Sequence, residues 1–115
     1  MQNPAMLIPE ATQPIQGLWA AVEKAGLPAQ TLGLVRLRVS QINGCCACLD
    51  GGCRTAKKGG ETDERLLALA VWRHAPYYAD AQRAALALAE LVLAIAIVNV
   101  WNRLNVAAGQ TAGQW

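Results

Sequence analysis

The sequence predicts an all-α protein. Apolar residues recur at helical spacing along most of the chain. No long stretch alternates apolar and polar residues as a half-buried strand does, so no sheet is expected. Gly, Pro and capping residues punctuate the pattern where helices would start and stop. A chain of 115 residues fits one domain, 1–115, with its core over about 15–108.

The first helix is expected from about Gln13 to Lys24, with Ile15, Leu18, Trp19 and Val22 on one face. Ala25-Gly26 ends it. Pro28 suits the first turn of a second helix reaching about Gln41. That helix aligns Leu32, Val35 and Val39, and Arg36 and Arg38 near its end complement the helix dipole. Asn43-Gly44 is a stop signal. A third helix starts close to Cys45 and turns Leu49, Cys53 and Ala56 to one side. Gly51-Gly52 weakens it by about 1 kcal/mol per Gly relative to Ala, and Lys57-Lys58-Gly59-Gly60 closes it.

Thr62 caps a fourth helix, with Asp63 and Glu64 in its first turn and Leu66, Leu67, Leu69, Ala70 and Trp72 as core. His74-Ala75-Pro76 stops it, and His74 reads as a cation at the helix C-terminus. Tyr77, Tyr78, Trp72 and Trp101 read as core or interface anchors. Asp80 caps a long pattern from Ala81 to about Ala108, and the tail from Gly109 to Trp115 is expected to fray.

Between Ala84 and Trp101 only Glu90 and Asn99 are strongly polar. That run approaches the ~20 apolar residues of a membrane span. A carboxylate at mid-span would cost several kcal/mol unless paired, and the flanks carry no basic cluster. A buried core or interface helix is the better reading, with Glu90 expected to be paired across an interface, the alternative being a raised pKa. At ~1.5 Å per residue such a helix reaches about 42 Å, so a partner chain is expected to cover its far end.

Hydrophobic residues make up 54% of the chain and charged residues 16%. This balance points to a homo-oligomer. A net charge of +2 without a Lys/Arg run gives no footprint for nucleic acid. Met1 to Pro14 has no basic residue and a broken apolar stretch, unlike a secretory leader, so a cytoplasmic location is expected. In a reducing compartment the four Cys between 45 and 53 are not a structural disulfide framework.

Cys45 and Cys48 form a Cys-x-x-Cys in what should be the first turn of a helix. Thiols at this spacing can close a small disulfide ring. A helix N-terminus favours the thiolate, which is the nucleophile in exchange and oxidation. Redox chemistry, inert packing and metal binding all remain open to the pair. Zinc would want four convergent N/S ligands, and the chain has one His. Cys46 and Cys53 lie two turns apart, about 10 Å, too far for a disulfide within one regular helix. They read as small core residues.

The segment Leu34-Val35-Arg36-Leu37-Arg38-Val39-Ser40-Gln41-Ile42-Asn43-Gly44-Cys45, followed by Cys48-Leu49-Asp50, resembles the core motif of the alkylhydroperoxidase D-like, carboxymuconolactone decarboxylase family. Gly60-Glu61-Thr62 with Arg65 to Arg73 resembles the same family. Ala94 to Asn105 looks like its C-terminal helix. The resemblance covers most of 15–108. It implies a compact helical subunit that assembles into trimers or hexamers. It also implies thiol-dependent reduction of a hydroperoxide, with Cys48 attacking, Cys45 resolving, and a dithiol or disulfide reductant resetting the pair. No cofactor and no metal are implied.

The chain departs from the family pattern in places. Gly33 stands where a Glu of the proton relay would be, and Gly52 where its His would be. Ala47 and Gly51 are also smaller than usual, which implies an opened pocket. Leu88-Ala89-Glu90 runs straight into Leu91-Val92-Leu93, where the family has a further segment. Either two helices fuse into one there, or residues are missing. The leading expectation is a thiol–disulfide redox protein of the peroxidase-like type with a weakened relay. The alternatives are a non-catalytic structural oligomer, a carboxymuconolactone decarboxylase-like enzyme, and a metal- or oxidant-sensing module.

Overall fold

The computed structural model describes residues 9–107, with the side chains of the last helix described through Val92. In chain order the elements are α1 (Pro9–Lys24), α2 (Ala29–Asn43), α3 (Cys46–Lys58), α4 (Asp63–Ala68), a 3₁₀ turn over Leu69–Val71, and α5 (Asp80–Ala107). There is no strand among the described residues. The predicted all-α class holds. Ile15, Trp101 and the tail from Gly109, all named in the sequence reading, have side chains or positions outside the described set.

Helix α2 is the centre of the fold and packs against both α3 and α5. Its buried residues are Thr31, Leu34 and Leu37, whereas Leu32, Val35 and Val39 are half-buried. The expected stripe is therefore displaced. A single amphipathic face presumes one neighbour, while a helix held on two sides buries the line between its two contacts. Leu34 and Leu37 join Leu69, Trp72, Ala75, Tyr78 and Leu86 in the core.

Helix α1 begins at Pro9, earlier than expected, as proline suits a first helical position. It touches the rest of the chain only narrowly. Its predicted core face stays open, with Leu18 69% exposed and Trp19 and Val22 half-buried.

The fourth helix is shorter than its apolar pattern suggested. Thr62 caps it as expected, its hydroxyl accepting from the Arg65 N–H at 3.3 Å. After Ala68 the chain tightens into the 3₁₀ turn. Three residues per turn bring Leu69 and Trp72 onto one side, and both are buried. Leu67 and Ala70 fall on the other side and are exposed, against expectation. Tyr78 is buried, but Tyr77 is exposed.

Two arginines fix the connection to α5. Arg83 donates to the carbonyls of Tyr78 (3.1 Å), Trp72 (3.0 Å), Arg73 (2.9 Å) and Ala75. Arg65 binds Glu61 and the Tyr77 carbonyl, and reaches Gln82 at 3.3 Å. The Tyr78 hydroxyl donates to the Arg65 carbonyl, and burial raises its pKa above the usual phenol value.

Glu90 is paired within the chain. It accepts from Arg38 Nε at 2.8 Å, Trp72 Nε1 at 3.0 Å and Arg73 at 2.5 Å. Burial alone would push its carboxyl up. The hydrogen bonds from Trp72, Arg38 and Arg73, with the Arg38 charge, outweigh burial and hold it at about 2. Arg38 is thus an ion-pair partner rather than a complement to the dipole. Because α2 continues to Asn43, neither Arg36 nor Arg38 lies in its last turn.

Helix α5 is continuous through Glu90-Leu91, so the fused reading of that junction is the observed one. Leu86 is fully buried, while Leu88, Leu91 and Val92 are exposed. Among the described residues no helix is long and apolar enough to cross a membrane.

Candidate functional site: the Cys45–Cys48 pair and its cavity

The end of α2 determines where the cysteines stand. Gly44 adopts φ 68°, ψ 25°, a left-handed conformation that suits glycine. Its N–H donates to the Gln41 carbonyl at 3.2 Å, and the Cys45 N–H donates to the Ser40 carbonyl at 3.0 Å. These two bonds are a Schellman closure of α2. The chain then reverses, and Cys45 becomes the N-cap of α3 with extended backbone, its Sγ accepting from the Cys48 N–H at 3.3 Å. The Asn43-Gly44 stop read from sequence is therefore also the device that places the thiol pair.

Cys45 and Cys48 are joined as a disulfide, with a Cα–Cα distance of 5.3 Å. Cys48 is exposed and Cys45 half-buried. Cys46 and Cys53 are free. Cys53 packs against the core with Leu49 and Ala56, as expected. Cys46 does not. It is exposed, because the first residue of α3 turns its side chain away from α2. Among the described residues no three His, Cys, Asp or Glu side chains gather closely enough to hold a metal ion.

Beside the pair lies a cavity of about 690 Å³, within the usual range for small-molecule sites. Cys48, Ala47, Gly51 and Gly52 of α3 form one wall. Gly33, Leu37, Arg36 and Ser40 of α2 form another. Glu23 of α1 and Leu27 contribute a third side. An ideal Cβ at Gly33 or Gly51 would meet nothing within 4 Å, so both glycines leave real space. Gly52 differs. A Cβ there would sit 2.7 Å from Leu37 Cδ2, so its bare backbone serves the close approach of α2 and α3. The opened pocket inferred from the small residues thus holds for two glycines and not for the third.

Positions 33 and 52, where the resemblance implies a proton relay, are both glycine. The carboxylates on the cavity are Glu23, which the sequence reading did not name, and Glu61, which it named only within the family resemblance. Glu61 is buried and held by Arg65 and by Gln30 at 3.1 Å. Glu23 accepts from Trp19 Nε1 at 2.6 Å. Glu90 and His74 do not line the cavity. No motif flagged this trio: Trp19 and Glu23 meet one turn apart on α1, and Arg36 joins them only where α2 comes against α1.

The chain is a member of the carboxymuconolactone decarboxylase family, whose model matches residues 9–91. It is similar to an uncharacterized Bacillus subtilis (strain 168) protein, YdfG, at 28% identity over 135 residues, covering 92% of each chain. That alignment is longer than this chain itself, so it contains gaps opposite residues that the Bacillus protein carries. It is also similar to the crystal structure of a protein of unknown function from Agrobacterium tumefaciens whose name proposes an AhpD antioxidant defence protein. The TM-score is 0.64 at 26% identity, covering 96% of this chain and 95% of that one.

Proposed function

We propose that the protein is a thiol–disulfide redox protein of the peroxidase-like type, with Cys48 as attacking and Cys45 as resolving residue. The observation that carries the reading is the Cys45–Cys48 disulfide at the start of α3, with Cys48 and not Cys45 on the cavity. The Cys48 thiolate attacks one oxygen of a hydroperoxide. An S–O bond forms, the O–O bond breaks, and the alkoxide leaves as the alcohol after taking a proton. The Cys45 thiolate then attacks the Cys48 sulfur, forming the disulfide and releasing water. A dithiol donor or disulfide reductase returns two electrons and two protons.

The N-cap position supports a thiolate at Cys45, which the resolving step needs. A reducing cytoplasm would keep Cys46 and Cys53 free and the pair resettable. Without Glu at 33 and His at 52, peroxide turnover is slow and disulfide exchange is the more robust activity. A homo-oligomer, trimer or hexamer, fits the open apolar faces of α1 and α5. The test is trapping. After reduction and tert-butyl hydroperoxide, C45S should accumulate a sulfenic acid on Cys48 that dimedone labels, and C48S should not label at Cys45. Labelling of Cys45 instead, or no thiol loss in the parent, would overturn the assignment.

A further inference from the structure

Arg36 opens onto the same cavity as Cys48. Its guanidinium lies over the Trp19 ring, 3.9 Å from the centroid. The Trp19 ring is itself held through Nε1 by Glu23. Arg38, Arg65, Arg73 and Arg83 all spend their N–H groups on carboxylates or carbonyls. Arg36 makes no ion pair or side-chain hydrogen bond among the described residues. A guanidinium stacked on an aromatic face keeps its edge available, and that edge matches a carboxylate through two parallel hydrogen bonds. Neither of the carboxylates on the cavity, Glu23 and Glu61, is ion-paired with it. Glu61 is neutralised by Arg65, and Glu23 faces Trp19 Nε1. Next to this cation the wall is apolar or bare, with Leu32, Leu37, Gly33 and Gly51.

We infer that the cavity binds an amphipathic carboxylate, its acid group on Arg36 and its hydrocarbon body along the apolar, glycine-lined wall of the cavity that Cys48 also lines. Ser40, one helical turn beyond Arg36 toward the C-terminus of α2, lines the same cavity, as does Cys48 at the start of α3. The inference deepens the redox reading by naming the class of molecule presented to Cys48, but binding itself needs no free thiol.

The experiment is calorimetric titration of the oxidised, disulfide-bonded protein with octanoate and with 1-octanol, both below their aggregation limits. Octanoate should bind at least about tenfold more tightly, as expected for a charge-assisted contact. Arg36→Gln should bring octanoate down to the level of octanol and leave octanol unchanged. Arg36→Lys, which keeps the charge but loses the planar fork, should fall between and serves if the Gln variant does not fold. Gly33→Leu, which fills open space, should weaken both ligands. Equal affinities, an acid preference that survives loss of Arg36, or indifference to Gly33→Leu would each overturn the inference, as would no binding at all. Because the disulfide is closed throughout, these failures leave the thiol chemistry to be judged separately by dimedone trapping.

Discussion

Restoring the two relay side chains should raise peroxide turnover, and the structure says the two substitutions are unequal. At Gly33 an added side chain meets open space. Replacing a helical glycine there should stabilise by about 0.5–1 kcal/mol. At Gly52 the new Cβ lies 2.7 Å from Leu37 Cδ2 and 3.5 Å from Leu37 Cγ. Apolar carbons prefer about 3.5–4.0 Å, so Leu37 must yield by roughly 1 Å from a site where it is 2% exposed. Overpacking of this kind costs about 1–3 kcal/mol, and removing the glycine returns about 1 kcal/mol. Gly33→Glu should therefore melt higher than the parent. Gly52→His should melt lower, unless Leu37→Val relieves it. A positioned acid–base pair contributes roughly 10²–10⁴-fold, and the double variant should gain more than either single change. The assay is steady-state hydroperoxide consumption with a dithiol donor, run beside thermal melts on the parent, both single variants, the double variant and its Leu37→Val form. A parent that already turns over rapidly, with no gain in the double variant, refutes the relay argument. Glu23 and Glu61, the carboxylates on the cavity, would then be the next residues to test.

Glu90 has its carboxyl lowered from 4.5 to about 2, so it adds stability that is present above pH ~4.5 and lost as pH falls toward 2. The shift corresponds to about 3 kcal/mol; screening at the exposed Arg73 reduces the expectation to about 2 kcal/mol, and urea melts of E90Q against parent should converge on acidification. Arg83→Ala leaves the carbonyls of Trp72, Arg73 and Ala75 short of a donor and should cost about 2–3 kcal/mol in chemical denaturation. Light scattering at micromolar concentration should report an oligomer; a monomer there would contradict the proposal that partner chains cover the open faces of α1 and α5. Leu18→Glu on α1, where the side chain is 69% exposed in the single chain, should shift that assembly toward smaller species while leaving the circular dichroism of the subunit intact.

Local signals were legible in the sequence. Thr62 as a cap, Asn43-Gly44 as a stop and the cysteines at the next helix start each depend on a few consecutive residues. Their physics is local, so it survives without knowledge of the fold. Facing was less legible. Leu32, Val35 and Val39 lost the core to Leu34 and Leu37 because α2 has two neighbours, and Leu67 turned outward when the fourth helix tightened after Ala68. Cys46 was misplaced because a position at a helix's first turn obeys the cap rather than the face. The site was half legible. Cys45 and Cys48 announce themselves by spacing, whereas Arg36 on Trp19 is a contact across 17 residues that no periodicity contains.

The Schellman closure at Gly44 bears on how the protein would cycle. It ties Cys45 to the last turn of α2 through backbone hydrogen bonds that do not involve the sulfurs. Cys48 is tied in turn by the first bonds of α3. The ring between them spans only three residues in sequence, so closing it removes little freedom from the unfolded chain. Each sulfur therefore meets the other at a high effective concentration supplied by the backbone. Reduction would open a bond without releasing a segment. Such a pair works like a latch mounted on a fixed frame, and its two oxidation states should give nearly superimposable amide spectra apart from the turn around Gly44 and the first residues of α3.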